Sequence, residues 1–299
     1  MIYLNLSPTP LQLIQDSVIE KFGINLYIKR DDLIHPQVSG NKFRKLKYNL
    51  QKAQNQGFDT LITFGGAYSN HIYATAAAGK LLNIKTIGII RGEELNEKSS
   101  PTLQFASECG MKLIFVSRTN YRNKPTLVEQ YGQNAYYVPE GGTNLYALKG
   151  VAEMTQEIEN QLVSSPNFII TPVGTGGTLA GIVSGVNSKS KVIGIVVLKN
   201  AYSLFEEIKT LLQENGNQEY ENFELLWHYH CGGYAKTTPE LINFIKGFEK
   251  RNNIQIEQVY TGKMLMAVYD LIAKGYFEMG QTIVVVHTGG LQGRNLVMG

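Results

Sequence analysis

Residues 168–181 read FIITPVGTGGTLAG, and this stretch decides the class of fold. The apolar run Phe168 to Pro172 predicts a buried strand, and the glycine-rich segment Val173 to Gly181 leads from it into a helical pattern. Its glycines let the backbone bend sharply, so that successive N–H groups converge at the positive end of a helix. The stretch predicts a phosphate site with hydroxyl donors from Thr175 and Thr178. A tight strand-to-helix turn without a ligand is the alternative.

The spacing of this loop excludes two familiar nucleotide motifs. No Gly-Lys-Ser/Thr follows it, as a P-loop requires. The run Gly174-Thr175-Gly176-Gly177 is followed by Leu179 and Ala180, so the Gly-x-Gly-x-x-Gly spacing of a dinucleotide site is also missing. A nucleotide-binding domain that uses this loop stays open as a rival, and it predicts a colourless protein.

Two consecutive series of strands and helices make up most of the chain. Further strands are predicted at Thr60 to Phe64, Lys85 to Ile90, Lys112 to Val116, Lys191 to Leu198 and Thr282 to His287. Helices are predicted at Asn70 to Leu82, Pro101 to Cys109, Leu179 to Val186, Leu204 to Glu214, Pro239 to Asn252 and Gly262 to Lys274. This alternation is typical of an α/β protein with parallel sheets. Since domains hold about 100 to 200 residues, 299 residues indicate two domains with a cleft between them.

The composition excludes several classes of function. The 28 basic and 25 acidic residues are scattered without a clustered basic face, so nucleic acid is not an expected partner. No apolar run reaches the roughly 20 residues of a membrane span, and residues 1–10 lack the order of a signal peptide, so we expect no membrane partner and a cytoplasmic location. Two cysteines without CxxC spacing indicate neither a disulfide framework nor a metal site.

Lys42 stands at the start of a predicted basic helix, in the segment SGNKFRKL of residues 39–46. The helix dipole and desolvation both disfavour an ammonium there, and the neighbouring Arg44 and Lys45 add like-charge repulsion. A lowered pKa makes Lys42 a candidate amine nucleophile toward an aldehyde. Taken alone, the residue also fits a solvated surface lysine.

The segment FGGAYSNH, residues 64–71, again joins a strand end to a helix. Ser69 or Asn70 is expected to cap this helix, and its free N–H groups can hold a carboxylate. A plain helix cap is the alternative. His71 and His287 fit structural donors, and neither is placed in a mechanism.

Six segments in this order resemble those of one enzyme family: IKRDDL (28–33), GNKFRKL (40–46), SNH (69–71), PEGG (139–142), GTGGTLAG (174–181) and VYTGK (259–263). The chain resembles the fold-type II pyridoxal-phosphate enzymes, specifically the family of D-cysteine desulfhydrase and 1-aminocyclopropane-1-carboxylate deaminase. The resemblance runs from Thr9 to Gly290. It implies pyridoxal 5'-phosphate as cofactor, a small amino acid as substrate and a homodimer.

The resemblance also implies the architecture: two open, twisted, parallel-sheet domains of the tryptophan synthase beta-like kind. The large cofactor-binding domain is expected from both chain ends, residues 1–46 and 156–299. A small α/β domain, residues 47–155, is expected as an insertion, with cofactor and substrate between the two.

For the site, the resemblance implies that Lys42 carries the cofactor as a Schiff base. It places the phosphate on Gly174, Thr175, Gly176, Gly177 and Thr178. It implies that Asn70 bonds the ring oxygen of the cofactor and that Ser69 helps to bind the substrate carboxylate. Tyr234 and Tyr260 are implied to lie over the substrate as polar contacts or proton-transfer groups.

Thr261 occupies the position that faces the pyridine nitrogen in this family. Because a hydroxyl is a neutral partner, it favours β-elimination over chemistry that needs a deep electron sink. Within the family, Thr favours the desulfhydrase, which converts D-cysteine to pyruvate, sulfide and ammonia. The deaminase reaction, which gives 2-oxobutanoate and ammonia, and a non-catalytic protein that binds the cofactor or an amino acid stay open.

Two residues depart from the family pattern near the expected carboxylate site. Tyr68 stands where Gln is common, and Tyr73 stands where the pattern SNHxR has Arg. Both are expected to flank the carboxylate site, and a bulky aromatic at Tyr68 is expected to reshape the substrate pocket. The assignment to D-cysteine depends on these positions more than the elimination chemistry does.

Overall fold

The fold is that of a computed structural model which describes residues 8–186, 190–216 and 222–294. Residues 1–7, part of the segment in which no signal peptide is expected, lie outside the described residues. The strands are Leu11–Leu13 (β1), Asn25–Lys29 (β2), Thr60–Gly65 (β3), Lys85–Arg91 (β4), Lys112–Val116 (β5), Tyr136–Tyr137 (β6), Phe168–Val173 (β7), Lys191–Val196 (β8), Phe223–Leu226 (β9) and Thr282–Val286 (β10). The α-helices are Ser17–Glu20 (α1), Asn41–Asn55 (α2), Asn70–Leu82 (α3), Pro101–Glu108 (α4), Lys124–Tyr131 (α5), Leu145–Leu162 (α6), Gly177–Gly185 (α7), Leu204–Glu214 (α8), Pro239–Asn252 (α9) and Thr261–Ala273 (α10).

The larger sheet has six strands in the order β1-β2-β10-β7-β8-β9. All neighbours pair in parallel except β1, which runs antiparallel to β2. The chain therefore returns at its carboxyl end to insert β10 between β2 and β7, which joins the first thirty residues to the last third of the chain. The strand β1 thus adds one antiparallel edge to an otherwise parallel sheet.

The strand β10 shows why these strands read as continuous apolar runs. Successive side chains of a strand point to opposite faces. Ile283 and Val285 pack in the core that α9 and α10 cover, while Val284 and Val286 pack in the core under α6, α7 and α8. Because helices cover both faces, no polar position is left in the run.

The smaller sheet has four parallel strands in the order β5-β4-β3-β6. The helix α3 and the start of α2 cover one face of β3, where Leu61 packs against Ala77 and Leu46. Ile62 and Phe64 point to the other face, toward Tyr121 and Leu127. The sheet is thus a second α/β layer with its own cores.

The predicted α/β class is confirmed, and the element boundaries mostly agree within two residues. The predictions omitted α1, α5, α6, β1, β2, β6 and β9. Of these, α1, β1, β6 and β9 have four residues or fewer. The predicted domain boundaries, 46/47 and 155/156, fall inside α2 and α6, which pack against each other. The division into domains stays a prediction.

The carboxyl ends of both sheets face one cavity. The strands β7 and β3 each end in a glycine-bearing loop that enters a helix at this cavity. In open α/β sheets, ligands bind outside the carboxyl ends of the strands. Within the described ranges, no helix is long and apolar enough to span a bilayer, and no group of His, Cys, Asp or Glu side chains fits a metal ion.

Candidate active site

The cavity has a volume of about 790 Å³ and takes its walls from both sheets. It brings together most of the site residues predicted from the sequence. The predicted residues that line it are Lys42, Ser69, Asn70, Gly174, Thr175, Gly176, Thr178, Tyr234 and Tyr260. Residues separated by more than 200 positions in the chain meet here, which only the folding of β10 between β2 and β7 allows.

Lys42 is the second residue of α2, and Gly40 fixes where this helix begins. Gly40 has φ +62°, and a Cβ built on it would lie 1.9 Å from the carbonyl oxygen of Thr288. Only glycine fits so close an approach at that backbone angle. The side chain of Asn41 donates to Thr178 Oγ1 at 2.8 Å, which ties the start of α2 to the glycine loop.

Burial in the cavity lowers the pKa of the Lys42 amine to about 8. The direction agrees with the prediction, and of the causes it named, desolvation is the one that lowers this pKa, while the like charges of Arg44 and Lys45 do not contribute. Arg44 points away from the cavity and binds Asp31 and Glu157. The Lys42 charge instead acts on Lys45, whose pKa is lowered mainly by its own burial.

The glycine loop enters α7 through Gly176, which has φ +76°. The first N–H groups of a helix lack intrahelical partners, so those of α7 can bind an anion. Thr175 lines the cavity, and its hydroxyl is 2.8 Å from that of Thr143. Residues 174–178 therefore bring free N–H groups and a threonine hydroxyl to the cavity, and the phosphate site there stays a prediction.

Lys45 was not predicted as a site residue, yet it adds a cation to this cradle. Its ammonium donates to the carbonyl oxygen of Gly141 at 3.0 Å and to Thr143 Oγ1 at 3.2 Å. A Cβ built on Gly177 would lie 2.9 Å from Lys45 Nζ. The helical spacing from Lys42 to Lys45 is the signal that could have placed both amines on one face of α2.

Ser69 caps α3, as expected, by accepting from the backbone N–H of Ile72 at 3.3 Å. Asn70 is the first residue of that helix, and its Oδ1 accepts from Gln292 Nε2 at 2.8 Å. Because this acceptor is occupied, the Asn70 amide keeps its N–H groups for another partner. A Cβ on Gly290 would lie 2.4 Å from Asn70 Nδ2, so glycine leaves room for the amide.

Tyr234 and Tyr260 form an aromatic pair at the cavity, with ring centroids 6.1 Å apart in an edge-to-face arrangement. A Cβ on Gly174 would lie 3.2 Å from the Tyr260 ring, so this ring rests directly on the glycine loop. Burial raises the pKa of Tyr260 well above its usual value. Its phenol therefore stays protonated at neutral pH and acts as a donor.

Thr261 begins α10 and is fully buried. Its hydroxyl donates to Glu257 Oε1 at 2.7 Å, and its side chain is not among those that line the cavity. Burial raises the pKa of Glu257, although the carboxylate accepts three backbone N–H groups of the turn before α10. Sequence reasoning considered Thr261 alone and missed this acid.

Tyr68 lines the cavity and is exposed, so it can shape the substrate pocket as expected. Tyr73 does not flank the carboxylate site. Its ring stacks on Phe105 with centroids 3.9 Å apart, between α3 and α4. Tyr73 is not among the residues that line the cavity, because its ring is held by Phe105 of α4, a contact between two helices that the sequence does not show.

His71 lies in the cavity wall as a neutral acceptor. The Thr63 hydroxyl gives its proton to the carbonyl oxygen of Val138, so it must accept from His71 Nε2 at 2.8 Å. The proton therefore lies on Nε2, and Nδ1 is a buried lone pair without a partner among the described residues. Burial, with the charges of Lys42 and Lys45, lowers the pKa of His71 well below its usual value.

Comparison with known proteins shows the family to which the chain is similar. Residues 2–289 match the model of the family described as pyridoxal-phosphate dependent enzyme. The chain is 30% identical to a putative 1-aminocyclopropane-1-carboxylate deaminase of Pyrococcus abyssi, over 95% of this chain and 90% of that protein. It is 32% identical to a mitochondrial bifunctional D-cysteine desulfhydrase/1-aminocyclopropane-1-carboxylate deaminase of Arabidopsis thaliana, over 91% of this chain and 73% of that protein. The crystal structure of an ACC deaminase homologue superimposes with a TM-score of 0.85 at 30% identity, covering 96% of this chain and 90% of that one.

Proposed function

Because the chain belongs to the family of pyridoxal-phosphate-dependent enzymes, we propose that it eliminates the thiol of D-cysteine and releases pyruvate, sulfide and ammonia. The observation that supports this most is the buried Lys42 amine, whose pKa of about 8 leaves part of it unprotonated near neutral pH, beside a glycine loop and two phenols. The recognition of the family from six sequence segments is confirmed.

The residues of the cavity fit pyridoxal phosphate. The N–H groups at the start of α7, the threonine hydroxyls and the Lys45 ammonium suit its phosphate, and Lys42 suits its aldehyde. Asn70 offers N–H groups to its ring oxygen because Gln292 occupies the amide oxygen. The place of Thr261 opposite the pyridine nitrogen follows from the family resemblance, and in this structure its hydroxyl donates to Glu257.

When bound, pyridoxal phosphate makes the α-hydrogen of an amino acid acidic and accepts the electrons of the broken bond. The Lys42 amine, which is partly unprotonated near neutral pH, would hold the cofactor through its aldehyde and would take the α-proton of the substrate. The Tyr260 phenol, kept protonated by burial, donates toward the leaving sulfur, with Tyr234 beside it. The aminoacrylate that remains takes up water and gives pyruvate and ammonia.

Deamination of 1-aminocyclopropane-1-carboxylate is the second candidate. Three relatives with 30 to 31% identity bear the name of this activity, and the Arabidopsis relative bears both names. Ring opening needs a proton donor at a carbon, and the phenols of Tyr234 and Tyr260 are suitable groups. The neutral hydroxyl of Thr261 favours the elimination, since ring opening places a greater demand on electron withdrawal by the pyridine ring.

The remaining expectations are proposals that follow from the family resemblance. They are a large domain of residues 1–46 and 156–299, a small domain of residues 47–155, and a homodimer in the cytoplasm. The two separate sheets support the division into domains, with α2 and α6 shared at the boundary.

The test uses the purified holoenzyme with D-cysteine, L-cysteine and 1-aminocyclopropane-1-carboxylate in parallel, assaying sulfide, ammonia and ketoacid. Sulfide and pyruvate in equal amounts from D-cysteine support the proposal. Lys42→Ala removes the visible band of the bound cofactor and the activity. Lys47→Ala, on the same helix but paired with Glu153, is the matched control and keeps both.

Two other outcomes would contradict the proposed elimination of D-cysteine. Ammonia and 2-oxobutanoate from the cyclopropane substrate, without sulfide from D-cysteine, establish the second candidate. A visible band without turnover of any of the three compounds refutes both and leaves a protein that binds the cofactor.

A further inference from the structure

Lys263 lies in the first turn of α10 and is fully buried. Its ammonium donates to the carbonyl oxygen of His230 at 2.8 Å and to that of Gly233 at 2.7 Å. Both carbonyls belong to the loop of residues 227–238, which joins β9 to α9 and carries Tyr234. One side chain of α10 therefore holds the loop at two points just before Tyr234.

The charge of Lys263 is unfavourable to bury. Burial lowers the pKa of its amine. Within the described ranges, its hydrogen bonds go to carbonyl oxygens and it forms no ion pair. An apolar side chain of similar length would avoid the desolvation of a charge. A cation at this position is therefore better explained by its hold on the loop than by packing of the core.

The backbone of this loop is strained and needs such a hold. Cys231 and Ala235 have φ of +51° and +54°, in the left-handed region that side chains other than glycine rarely adopt. Gly232 and Gly233 also have positive φ, of +92° and +125°. Strained conformations of this kind persist only where the surrounding structure imposes them.

The two carbonyls that Lys263 holds also close the turns of the loop itself. The N–H of Gly233 donates to the His230 oxygen at 3.0 Å, and the N–H of Lys236 donates to the Gly233 oxygen at 3.2 Å. A carbonyl oxygen has two lone pairs, so each accepts once within the loop and once from α10. Loss of the ammonium would leave the turns with their internal bonds alone.

A second contact between α10 and the loop lies nearer the surface. The Tyr229 hydroxyl donates to Asp270 Oδ2 at 2.7 Å. Asp270 also binds the exposed Lys274, at 2.6 Å. Because water competes for an exposed acid that is already shared, this contact is a weaker hold than a buried ammonium on two carbonyls.

The hold by Lys263 decides where Tyr234 lies relative to Tyr260. Tyr260 is the residue at which α10 begins, three positions before Lys263. The two rings meet edge to face with centroids 6.1 Å apart, and both line the cavity. Tyr234 itself is 41% exposed, so packing alone does not fix its ring. One helix therefore sets the place of both phenols.

We propose that Lys263 is the positioning residue for Tyr234. By holding two carbonyls of the loop, it keeps the Tyr234 phenol over the cavity, beside Tyr260, where it takes part in proton transfer to the substrate. Lys263 is not among the residues that line the cavity, so it acts through the loop. The role rests on the proposed contact between Tyr234 and an amino acid substrate, but not on which substrate is converted.

Hydrogen exchange of the holoenzyme, followed by mass spectrometry of peptides that cover residues 229–237, tests the hold directly. Lys263→Met keeps the length of the side chain and removes the donor. It is expected to speed exchange of this segment by about tenfold or more, because each tenfold corresponds to a lost interaction of about 1.4 kcal/mol. Lys263→Gln, which keeps N–H donors, should restore part of the protection. Unchanged exchange in Lys263→Met overturns the proposal.

Lys250→Met is the matched control for hydrogen exchange. Lys250 is an exposed residue of α9, the helix that packs beside α10. Its removal is expected to leave exchange of residues 229–237 unchanged. Equal acceleration in Lys250→Met and Lys263→Met would show a general effect of removing a lysine and would also overturn the proposal.

A kinetic comparison separates positioning of Tyr234 from general damage. The kcat per bound cofactor is measured for Lys263→Met, Tyr234→Phe and the double variant, with whichever substrate the wild type converts. Each single change is expected to lower kcat by about tenfold or more and to change KM by less than about threefold. The double variant should be no slower than Tyr234→Phe, since both changes remove one function. Multiplication of the two single effects overturns the proposal.

Failure of the proposed function gives a different pattern. In that case neither D-cysteine nor 1-aminocyclopropane-1-carboxylate is converted, while hydrogen exchange still decides whether Lys263 holds the loop. An unchanged visible band in Lys263→Met before substrate is added shows that the variant is folded and holds its cofactor. Without that band, Lys263→Gln is compared in its place, with an expected rise in exchange of about threefold, and no rise overturns the proposal.

Discussion

The Thr261 hydroxyl donates to Glu257 Oε1 at 2.7 Å. Thr261 is the first residue of α10, and Glu257 lies four residues before it. The same carboxylate accepts the backbone N–H groups of Val259, Tyr260 and Thr261 at 2.6, 2.9 and 2.6 Å. A fully buried acid thus organises the turn that holds both Tyr260 and Thr261. Its charge state affects the stability of this turn.

Glu257→Gln is expected to change how stability depends on pH. Burial raises the pKa of Glu257 in the folded protein, so its contribution is complete below the ordinary pKa of 4.5 and is lost as pH rises through the folded value. The wild type should therefore lose stability relative to Glu257→Gln in that window, by up to about 1.4 kcal/mol per pH unit. Urea unfolding of both proteins across pH measures the difference. An opposite slope contradicts the assignment, and the exposed Glu108→Gln serves as control.

The Lys42 amine should control how fast the apoprotein takes up its cofactor. Only the neutral amine attacks an aldehyde, and burial lowers the pKa of Lys42 to about 8. We expect the rate of appearance of the visible band to rise with pH and level off above about pH 8. Stopped-flow absorbance measures this rate. A midpoint near the ordinary lysine value of 10.5 would show that burial does not tune this amine.

His71 should remain neutral with its proton on Nε2. Burial lowers its pKa, and Thr63 fixes the tautomer by accepting from Nε2. Nitrogen-15 NMR of histidine-labelled protein should show no titration of His71 from about pH 5 to 8. Since a lowered pKa gives stability that is lost as pH falls, His71 adds to acid unfolding. Thr63→Val should release the tautomer while Thr63→Ser keeps it, and an Nδ1–H signal in the wild type would refute the assignment.

Gln292 should act on the cofactor through Asn70. Its N–H group occupies Asn70 Oδ1, so Gln292→Ala frees the amide to rotate and should weaken cofactor binding by up to about tenfold. Gln292→Glu should weaken it more, because a carboxylate cannot donate to Asn70. Titration of the apoprotein with pyridoxal phosphate measures both. Gln104→Ala, on the exposed face of α4, is the control, and wild-type affinity in Gln292→Glu would exclude this role.

The ion pairs of Arg44 should contribute far more to the free energy of unfolding than a surface ion pair does. It is fully buried and binds both Asp31 and Glu157, each through two hydrogen bonds of 2.6 to 2.9 Å. Arg44→Met leaves the buried Asp31 without its cation and leaves Glu157 with Lys29 alone, which costs about 3 to 5 kcal/mol. Lys85→Met, which breaks the exposed pair with Asp59, should change little. Denaturant unfolding compares the two, and equal effects would contradict the importance of burial.

Lys42, Ser69 and the glycine loop were found from the sequence because each belongs to a local pattern. A loop between a strand and a helix, a cap residue and a lysine at a helix start are set by neighbours in the chain. Lys45, Glu257 and Lys263 were missed, since nothing adjacent to them marks their function. Their partners lie on other elements.

The sequence by itself determined the alternating strands and helices and the glycine loop, because apolar periodicity and glycine spacing are local properties of the chain. The resemblance of six segments indicated the family. Only the tertiary structure decided which faces meet. It turned Tyr73 away from the cavity and onto Phe105, and it paired Arg44 with Asp31 and Glu157. Burial and charge pairing depend on residues far apart in the chain, so the lowered pKa of Lys42 and the ion pairs of Arg44 exist only in the folded molecule.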